Sequence, residues 1–121
     1  MTTINYSEVQ LKSSEKVVSW SGLQANDDGQ EFDLAGYDLI SIHTYRPSAG
    51  TVKINVFGAN SSNGMANPAD LGLIGPELIN TLGTGGMWNN ASKPRFISLL
   101  ADAGSGSISM DILIKEAKLN G

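Results

Sequence analysis

The stretch 107-SISMDILIK-115 decides the fold class of this protein. Apolar residues occupy every second position, and serine, aspartate and lysine occupy most of the positions between them. The apolar residues are Ile108, Met110, Ile112 and Ile114. A period of two is what a β-strand shows when one face of its sheet is buried. The stretch therefore predicts a strand with these four side chains in the core.

A second strand is expected just before it, at 95-RFISLLA-101. The intervening residues, 102-DAGSG-106, form a Gly/Ser loop short enough for an antiparallel hairpin. Apolar residues occupy both faces of this strand. They are Ile97 and Leu99 on one face and Phe96 and Leu100 on the other. Such a strand lies between two layers or faces a partner chain.

A second hairpin is predicted from 39-LISIHTY-45 and 51-TVKINVFG-58. The turn between them, 46-RPSAG-50, contains a proline, which presets its backbone angle, and a glycine, which can adopt positive φ. In the first strand His43 alternates with Ile40 and Ile42, so we expect it on the opposite face.

The N-terminal third of the chain carries one clear strand, 15-EKVVSWSGL-23, which is expected to place Trp20 in the core. The turn 26-NDDGQ-30 follows, and then the short segment 30-QEFDL-34. Residues 1–14 alternate only weakly, so we interpret them as an N-terminal arm or an edge strand.

The segment 65–90 has Gly or Pro every few residues. Its Pro and Gly residues would suit the two ends of a helix over 76-PELINTL-82, but we favour a short strand and loops there. In total the chain shows about seven or eight short strands, with turns at intervals of roughly ten residues. This pattern predicts an all-β fold, an antiparallel β-sandwich or jelly-roll-like single domain over residues 15–121.

Composition and charge argue against several classes of function. The 121-residue chain has a formal net charge of -4, and its Lys and Arg residues are scattered, so no nucleic acid is expected as a partner. The chain has no cysteine, and hence no disulfide and no thiolate ligand. It lacks the basic start and apolar run of a signal peptide and has no long apolar stretch, so neither export by that route nor a membrane span is expected.

The sequence offers little for catalysis. His43 is the single histidine, whereas general-base and zinc sites usually combine a histidine with partners. The motifs of serine hydrolases, zinc proteases, P-loop proteins and dinucleotide-binding proteins do not occur. We therefore expect no enzyme activity, no catalytic residue, no metal site and no cofactor. His43 is interpreted as a surface or interface residue.

One acidic cluster is a candidate for binding calcium. Asp27, Asp28, Glu31 and Asp33 could supply the carboxylate oxygens that this ion prefers. Their spacing does not match a twelve-residue calcium loop, and Asn-Asp-Asp-Gly is also a favourable turn sequence. We favour the turn over the calcium site.

Trp88 lies in a predicted loop, 85-GGMWNN-90, where an aromatic side chain is exposed or at an interface. Stacking of the indole on a sugar ring, helped by Asn89 and Asn90, is the alternative. It makes a carbohydrate-binding β-sandwich module the second hypothesis for function. We favour the core-or-interface role, because one aromatic residue makes a weak platform for a sugar.

Three blocks of sequence, in this order, resemble a family of small tailed-bacteriophage head decoration (capsid cement) proteins. They are 17-VVSWSGLQANDDGQEFD-33, 51-TVKINVFGANSSNG-64 and 95-RFISLLADAGSGSISMDILIK-115. In the first block, the family's W-x-x-L and D-x-G pattern corresponds to Trp20, Leu23, Asp28 and Gly29. The second block stands where the family has a strand and a Gly-Ser-Asn-Asp-Gly turn, and the third where it has its closing hairpin.

The resemblance implies a structural, non-enzymatic virion protein that binds the outer surface of a phage capsid and stabilises it. The implied partners are the major capsid protein and further copies of the same chain, with a homotrimer favoured over a homodimer. The implied location is the outer capsid surface, after synthesis in the host cytoplasm. A tail or baseplate accessory protein with the same type of fold is a further alternative.

Two sets of contact residues are expected for such a protein. Contacts between subunits are expected at Phe57, Phe96 and Leu100. Contacts with the shell are expected at Tyr6, Val9, Leu11 and Trp88.

Overall fold

The computed structural model describes residues 2–45, 48–61, 63–66, 69–74, 85–88 and 95–117. Within these ranges two antiparallel sheets pack face to face, which confirms the predicted all-β sandwich. Eight of the described strands have four or more residues and three have two, close to the predicted number.

The described residues form eleven strands. In chain order they are β1 (Thr3–Ile4), β2 (Ser7–Lys12), β3 (Glu15–Leu23), β4 (Asp28–Gly29), β5 (Phe32–Asp33), β6 (Tyr37–Tyr45), β7 (Ile54–Ala59), β8 (Ala69–Ile74), β9 (Gly85–Trp88), β10 (Phe96–Ala101) and β11 (Ile108–Glu116). One turn of 3-10 helix, Asn63–Ala66, lies between β7 and β8.

Sheet A has the spatial order β1-β4-β10-β7-β8, and β5 also pairs with β10. Sheet B has the order β2-β3-β11-β6-β9. The pair β1–β4 is parallel and the other pairs are antiparallel. The N-terminal residues thus supply an edge strand to each sheet. The segment 76–82, for which the sequence favours a short strand and loops, lies outside the described residues.

The core lies between the sheets, and β3 and β11 of sheet B contribute much of it. The four predicted core residues of β11 are fully buried. Trp20 on β3 is also fully buried, as predicted. Its indole Nε1 donates a hydrogen bond of 3.0 Å to the backbone carbonyl of Gln30, so the polar atom of the buried ring has a partner. This bond ties β3 to the chain just before β5.

Both predicted hairpins are wrong, because each connection crosses from one sheet to the other. β10 pairs with β7 in sheet A, whereas β11 pairs with β3 and β6 in sheet B. The strands β6 and β7 likewise belong to different sheets. A five-residue connection reaches about 17 Å when extended, more than the ~10 Å between packed sheets. A connection of this length therefore allows either a crossing or a hairpin. Both arrangements let the two strands turn an apolar face toward the same core, so neither the length of the connection nor the strand pattern distinguishes them.

The two crossing connections lie against each other at one end of the sandwich. The backbone N–H groups of Thr51 and Val52 donate to the carbonyl oxygen of Ser105, at 2.9 and 3.2 Å. Gly50 makes this approach sterically allowed, because a Cβ atom there would lie 2.0 Å from the same oxygen. The glycines of these segments therefore permit two backbones to touch, rather than forming hairpin turns.

A β-bulge in β6 changes the predicted face of Ile40. The register between β6 and β11 shifts between Leu113 and Ile114, and this leaves Ile40 without an opposite residue. Its side chain is 41% exposed, whereas that of Ile42 is fully buried. The predicted common face for the two isoleucines is therefore wrong.

Candidate functional site

The outer face of sheet A brings together the three residues that were predicted at subunit contacts. Phe57 on β7 lies opposite Ser98 on β10. Phe96 and Leu100 lie two residues to either side of that serine, and so on the same face. All three apolar side chains are half-buried, while the alternate residues of β10 point into the core. This surface, defined by Phe57, Phe96 and Leu100, is termed the sheet A face.

A charged pair borders the sheet A face. Arg95 donates from Nε and Nη2 to the two carboxylate oxygens of Asp33, at 2.6 and 3.1 Å. Its guanidinium carbon lies 5.2 Å from the centroid of the Phe96 ring. The hydrogen bond from Arg95, followed by one from the backbone N–H of Ala35, lowers the pKa of Asp33. Both charged groups are exposed, so the pair adds little to stability but holds the guanidinium beside the ring.

The outer face of sheet B carries an apolar row that sequence reasoning did not single out. Val9, Val17 and Leu113 lie opposite one another on β2, β3 and β11. Val9 is 54% exposed, and the other two side chains are half-buried. The available sequence signal was Leu113, an apolar residue at an outward position of β11. The exposed Ile40 lies beside the end of this row on β6, where the bulge displaced it.

His43 also lies on the outer face of sheet B, opposite Asp111 on β11. Its Nδ1 atom is 3.7 Å from a carboxylate oxygen of Asp111, and its ring stacks on Tyr45 with the centroids 5.2 Å apart. Burial raises the pKa of Asp111, and the nearby imidazole offsets part of that effect. The position of His43 on the sheet surface matches the interpretation from the sequence.

The raised pKa of Asp111 leads to a prediction about stability and pH. Because the folded-state pKa lies above the ordinary value of 3.8, the ionised carboxylate destabilises the native state at neutral pH. That penalty disappears as the pH falls through the raised pKa and is absent below the ordinary value. We therefore expect Asp111→Asn to raise the melting temperature at pH 7, with a difference from wild type that closes by about pH 3.

The measurement is thermal unfolding followed by circular dichroism between pH 3 and pH 8. Glu116→Gln, at an exposed position of the same strand, is the matched control and is expected to change the melting temperature little. A lower melting temperature of Asp111→Asn at pH 7 would contradict the prediction and would mean that the attraction to His43, 3.7 Å away, outweighs burial of the carboxylate.

The residues that were predicted at shell contacts fall into different environments. Val9 and Leu11 are each 54% exposed on β2, at the edge of sheet B. Tyr6 packs edge-on against the rings of Trp20 and Phe32, with centroids 5.9 and 5.2 Å away, and is half-buried. It therefore serves to attach the N-terminal residues to the core, a role that the weak alternation of the arm did not indicate.

The predicted loop position of Trp88 is wrong. Its backbone lies in β9, opposite Ile42 at the edge of sheet B. Because β9 pairs with β6, residues Gly85–Trp88 form a strand of sheet B, although Gly85 and Gly86 suggested a loop. The argument for an exposed sugar-stacking ring depended on that loop position.

The acidic turn binds its own backbone and the N-terminal residues. The carboxylate of Asp27 accepts hydrogen bonds from the backbone N–H groups of Gln24 and Thr2, at 2.9 and 3.3 Å. The carboxylate of Asp28 accepts one of 2.8 Å from the hydroxyl of Thr3. These bonds support the interpretation as a turn. In the part of the chain that the structure describes, no group of three or more His, Cys, Asp or Glu residues is placed to hold a metal ion.

The crossing connections form a shallow polar depression of about 370 Å³ at one end of the sandwich. It is lined by Gln24, Ala25, Ser48, Gly104, Gly106 and Ser107. The hydroxyl oxygens of its two serines lie 3.1 Å apart and bond each other. The lining residues are uncharged and mostly small, and the depression contains no group suited to catalysis or to binding a metal ion.

Comparisons with known proteins do not assign this chain to a family. No protein-family model matches it, and no curated protein matches it either. Among the described residues, no helix has the length and apolar character needed to cross a membrane.

The geometry of the described residues gives two candidate contact surfaces. One is the sheet A face, and the other is the exposed strand β2 with the adjoining apolar row of sheet B.

Proposed function

We propose that this protein decorates the head of a tailed bacteriophage. It binds the outer surface of the assembled capsid, with the major capsid protein as its partner, and stabilises the shell. The observation that carries the proposal is the sheet A face, where three apolar side chains from two strands form one surface beside a fixed guanidinium. Aromatic residues and arginine are enriched where proteins contact one another.

The sequence resemblance supports the same proposal. Its three blocks correspond to β3 to β5, to β7 with the turn after it, and to β10 with β11, which include the central strands of both sheets. Trp20 and Gly29 of the first block pack together, since a Cβ atom on the glycine would lie 2.9 Å from the indole. The shared residues therefore specify the sandwich, and the decoration role rests on the order of the blocks together with the sheet A face.

The two exposed surfaces have separate roles in the proposal. The sheet A face forms the contact between copies, in a homotrimer, with a homodimer as the alternative arrangement. Val9 and Leu11 contact the shell. Because the two surfaces belong to different sheets, one copy can use both at the same time.

Stabilisation of the shell follows from linkage between binding and assembly. A protein that binds the assembled lattice and not its separated subunits stabilises the lattice by the free energy of binding. The effect is repeated over many copies, so a small contact for each copy suffices.

Capsid heads that lack the protein provide the test. We expect the wild-type protein to co-sediment with such heads and to raise the temperature at which they disassemble. Val9→Lys places a charge in the surface that contacts the shell and is expected to weaken binding to the heads roughly tenfold. Ser61→Lys, at an exposed position outside the sheets, is expected to bind like wild type. If the wild-type protein neither co-sediments nor changes the thermal stability of the heads, the proposal is wrong.

A further inference from the structure

The outer face of sheet B carries a row of four charged residues beside the apolar row. One residue comes from each of four neighbouring strands, in the spatial order β2, β3, β11 and β6. Each lies opposite the next in the ladder, and the four are Lys12, Glu15, Lys115 and Asp38. Lys115 follows the fully buried Ile114 on β11, so it points outward, and residues opposite one another share its face. The signs of this charged row therefore alternate across the sheet.

Most of the charged row is exposed. Lys12, Asp38 and Lys115 are exposed, and Glu15 is half-buried. Among the described residues, neither Lys12, Glu15 nor Lys115 forms an ion pair with another side chain. Neighbours of opposite charge on adjacent strands stabilise their own sheet only modestly. The side chains of Lys12, Glu15 and Lys115 can therefore pair with charges on a facing molecule.

A row of four alternating charges is complementary to its own reverse. A two-fold axis parallel to the strands, between β3 and β11, places β2 over β6 and β3 over β11 of a second copy. Lys12 then faces the partner's Asp38, and Glu15 faces the partner's Lys115. Each contact occurs twice, so every charge of the two rows meets an opposite charge. This complementarity identifies a second copy of the chain as the partner of the face.

The apolar row of sheet B suits the same arrangement. Reversal of the strand order brings Val17 opposite the partner's Leu113. It also brings Val9 opposite the partner's Ile40, the exposed isoleucine beside the other end of the row. Two sheets that pack face to face lie about 10 Å apart with their strands nearly aligned, which this axis allows. The contact therefore covers exposed apolar side chains and pairs the charges beside them.

A polar row on the other side of the apolar row helps to choose between two possible axes. Its members are Ser7, Ser19, Asp111 and His43. With the axis parallel to the strands, Asp111 faces a serine of the second copy, and no like charges meet. With an axis along the rows, the charges on β11 and β6 would find partners, but Lys12 and Glu15 would each face a serine. The axis parallel to the strands is favoured because it pairs the whole charged row.

We propose that the outer face of sheet B packs on the same face of a second copy, about a two-fold axis parallel to the strands between β3 and β11. The contact does not use the sheet A face, and it does not rest on the decoration role. Its four strands span only about 15 Å, a small interface, so the dimer forms in a concentration-dependent way. Val9 belongs to this surface, so one copy uses it either for the dimer or for the shell.

Sedimentation equilibrium at protein concentrations from about 5 to 500 μM tests the proposal. Leu100→Lys is present in every sample, since a charge in the sheet A face suppresses association through that surface. The mass of this parent protein is expected to rise with concentration. Glu15→Lys and Lys115→Glu, each added singly, set like charges opposite each other twice. Each is expected to weaken self-association roughly tenfold or more.

An equimolar mixture of these two variants separates a contact between copies from a contact within one chain. Glu15 and Lys115 also lie opposite each other on β3 and β11 of the same chain, and each variant loses that pair. Mixing cannot restore it. In a mixed dimer, however, both central contacts between the copies again join opposite charges, so the mixture is expected to associate like the parent. Circular dichroism confirms that each variant is folded.

Glu116→Lys is the matched control, because it makes the same change of charge as Glu15→Lys at an exposed position on the other face of β11. It is expected to associate like the parent. A parent mass that does not rise with concentration, or a mixture that associates as weakly as its components, overturns the proposal. So does weakening by Lys115→Glu but not by Glu15→Lys, which would indicate the axis along the rows. None of these outcomes involves capsid heads, so they are independent of the test of the decoration role.

Discussion

Replacement of Trp20 by alanine is expected to lower the free energy of unfolding by about 3–5 kcal/mol. The indole is fully buried, packs edge-on against Tyr6 and donates a hydrogen bond to the carbonyl of Gln30. Alanine would leave a cavity between the sheets and a carbonyl without its partner. Since domains are typically stable by only about 5–15 kcal/mol, much of the stability would be lost. Urea denaturation followed by circular dichroism measures the change.

Trp20→Phe is the matched control for this prediction. Phenylalanine keeps an aromatic contact with Tyr6 but cannot donate to Gln30, so we expect a smaller loss, about 1–2 kcal/mol. A loss below about 1 kcal/mol for the alanine variant would contradict the buried position of the indole.

Replacement of Gly50 by alanine is expected to lower the free energy of unfolding by about 1–3 kcal/mol. The added Cβ atom would lie 2.0 Å from the carbonyl oxygen of Ser105 and 2.7 Å from the Cα atom of Gly106. Both are backbone atoms of the other crossing connection, so the clash is relieved only when the two connections move apart. That movement would lengthen the bonds from Thr51 and Val52 to Ser105.

The control for this prediction is Gly64→Ala, in a turn outside the two connections. There the nearest atoms to an added Cβ are side-chain atoms of Ala59 and Ser61, at 3.1 and 3.3 Å. A shift of a few tenths of an ångström accommodates them, so we expect a change within about 0.5 kcal/mol. Equal melting temperatures for Gly50→Ala and wild type would show that the two connections do not touch.

The alternation of apolar residues within β3, β7 and β11 predicted which face of each strand is buried. In β3, β7 and β11 the apolar residues at every second position are the ones found in the core, including Trp20. A half-buried strand selects side chains two residues apart whatever its neighbours are, so its own sequence is sufficient. Ile40 is the exception, because one extra residue in a bulge reverses the alternation and no single residue type marks the position.

Strand pairing was not predictable in the same way. The five residues 102–106 suit a hairpin and a crossing between sheets equally well, and the sequence favoured the hairpin that the structure does not have. Pairing depends on which strands bury a face together, and β11 finds its neighbours in β3 and β6, far away along the chain. Local turn chemistry carries little information about such contacts.

The candidate surfaces likewise combine features that follow from the sequence of one strand with features that depend on how strands pair. The sequence placed Phe96 and Leu100 on one face of their strand and Ile97 and Leu99 on the other, but the structure decided which face meets the core. The sheet A face arises because β7 pairs with β10, and the row of Val9, Val17 and Leu113 arises because β2, β3 and β11 are neighbours. The side chains that share a face of a strand follow from its own sequence, whereas the surface that they form depends on strands that meet only after folding.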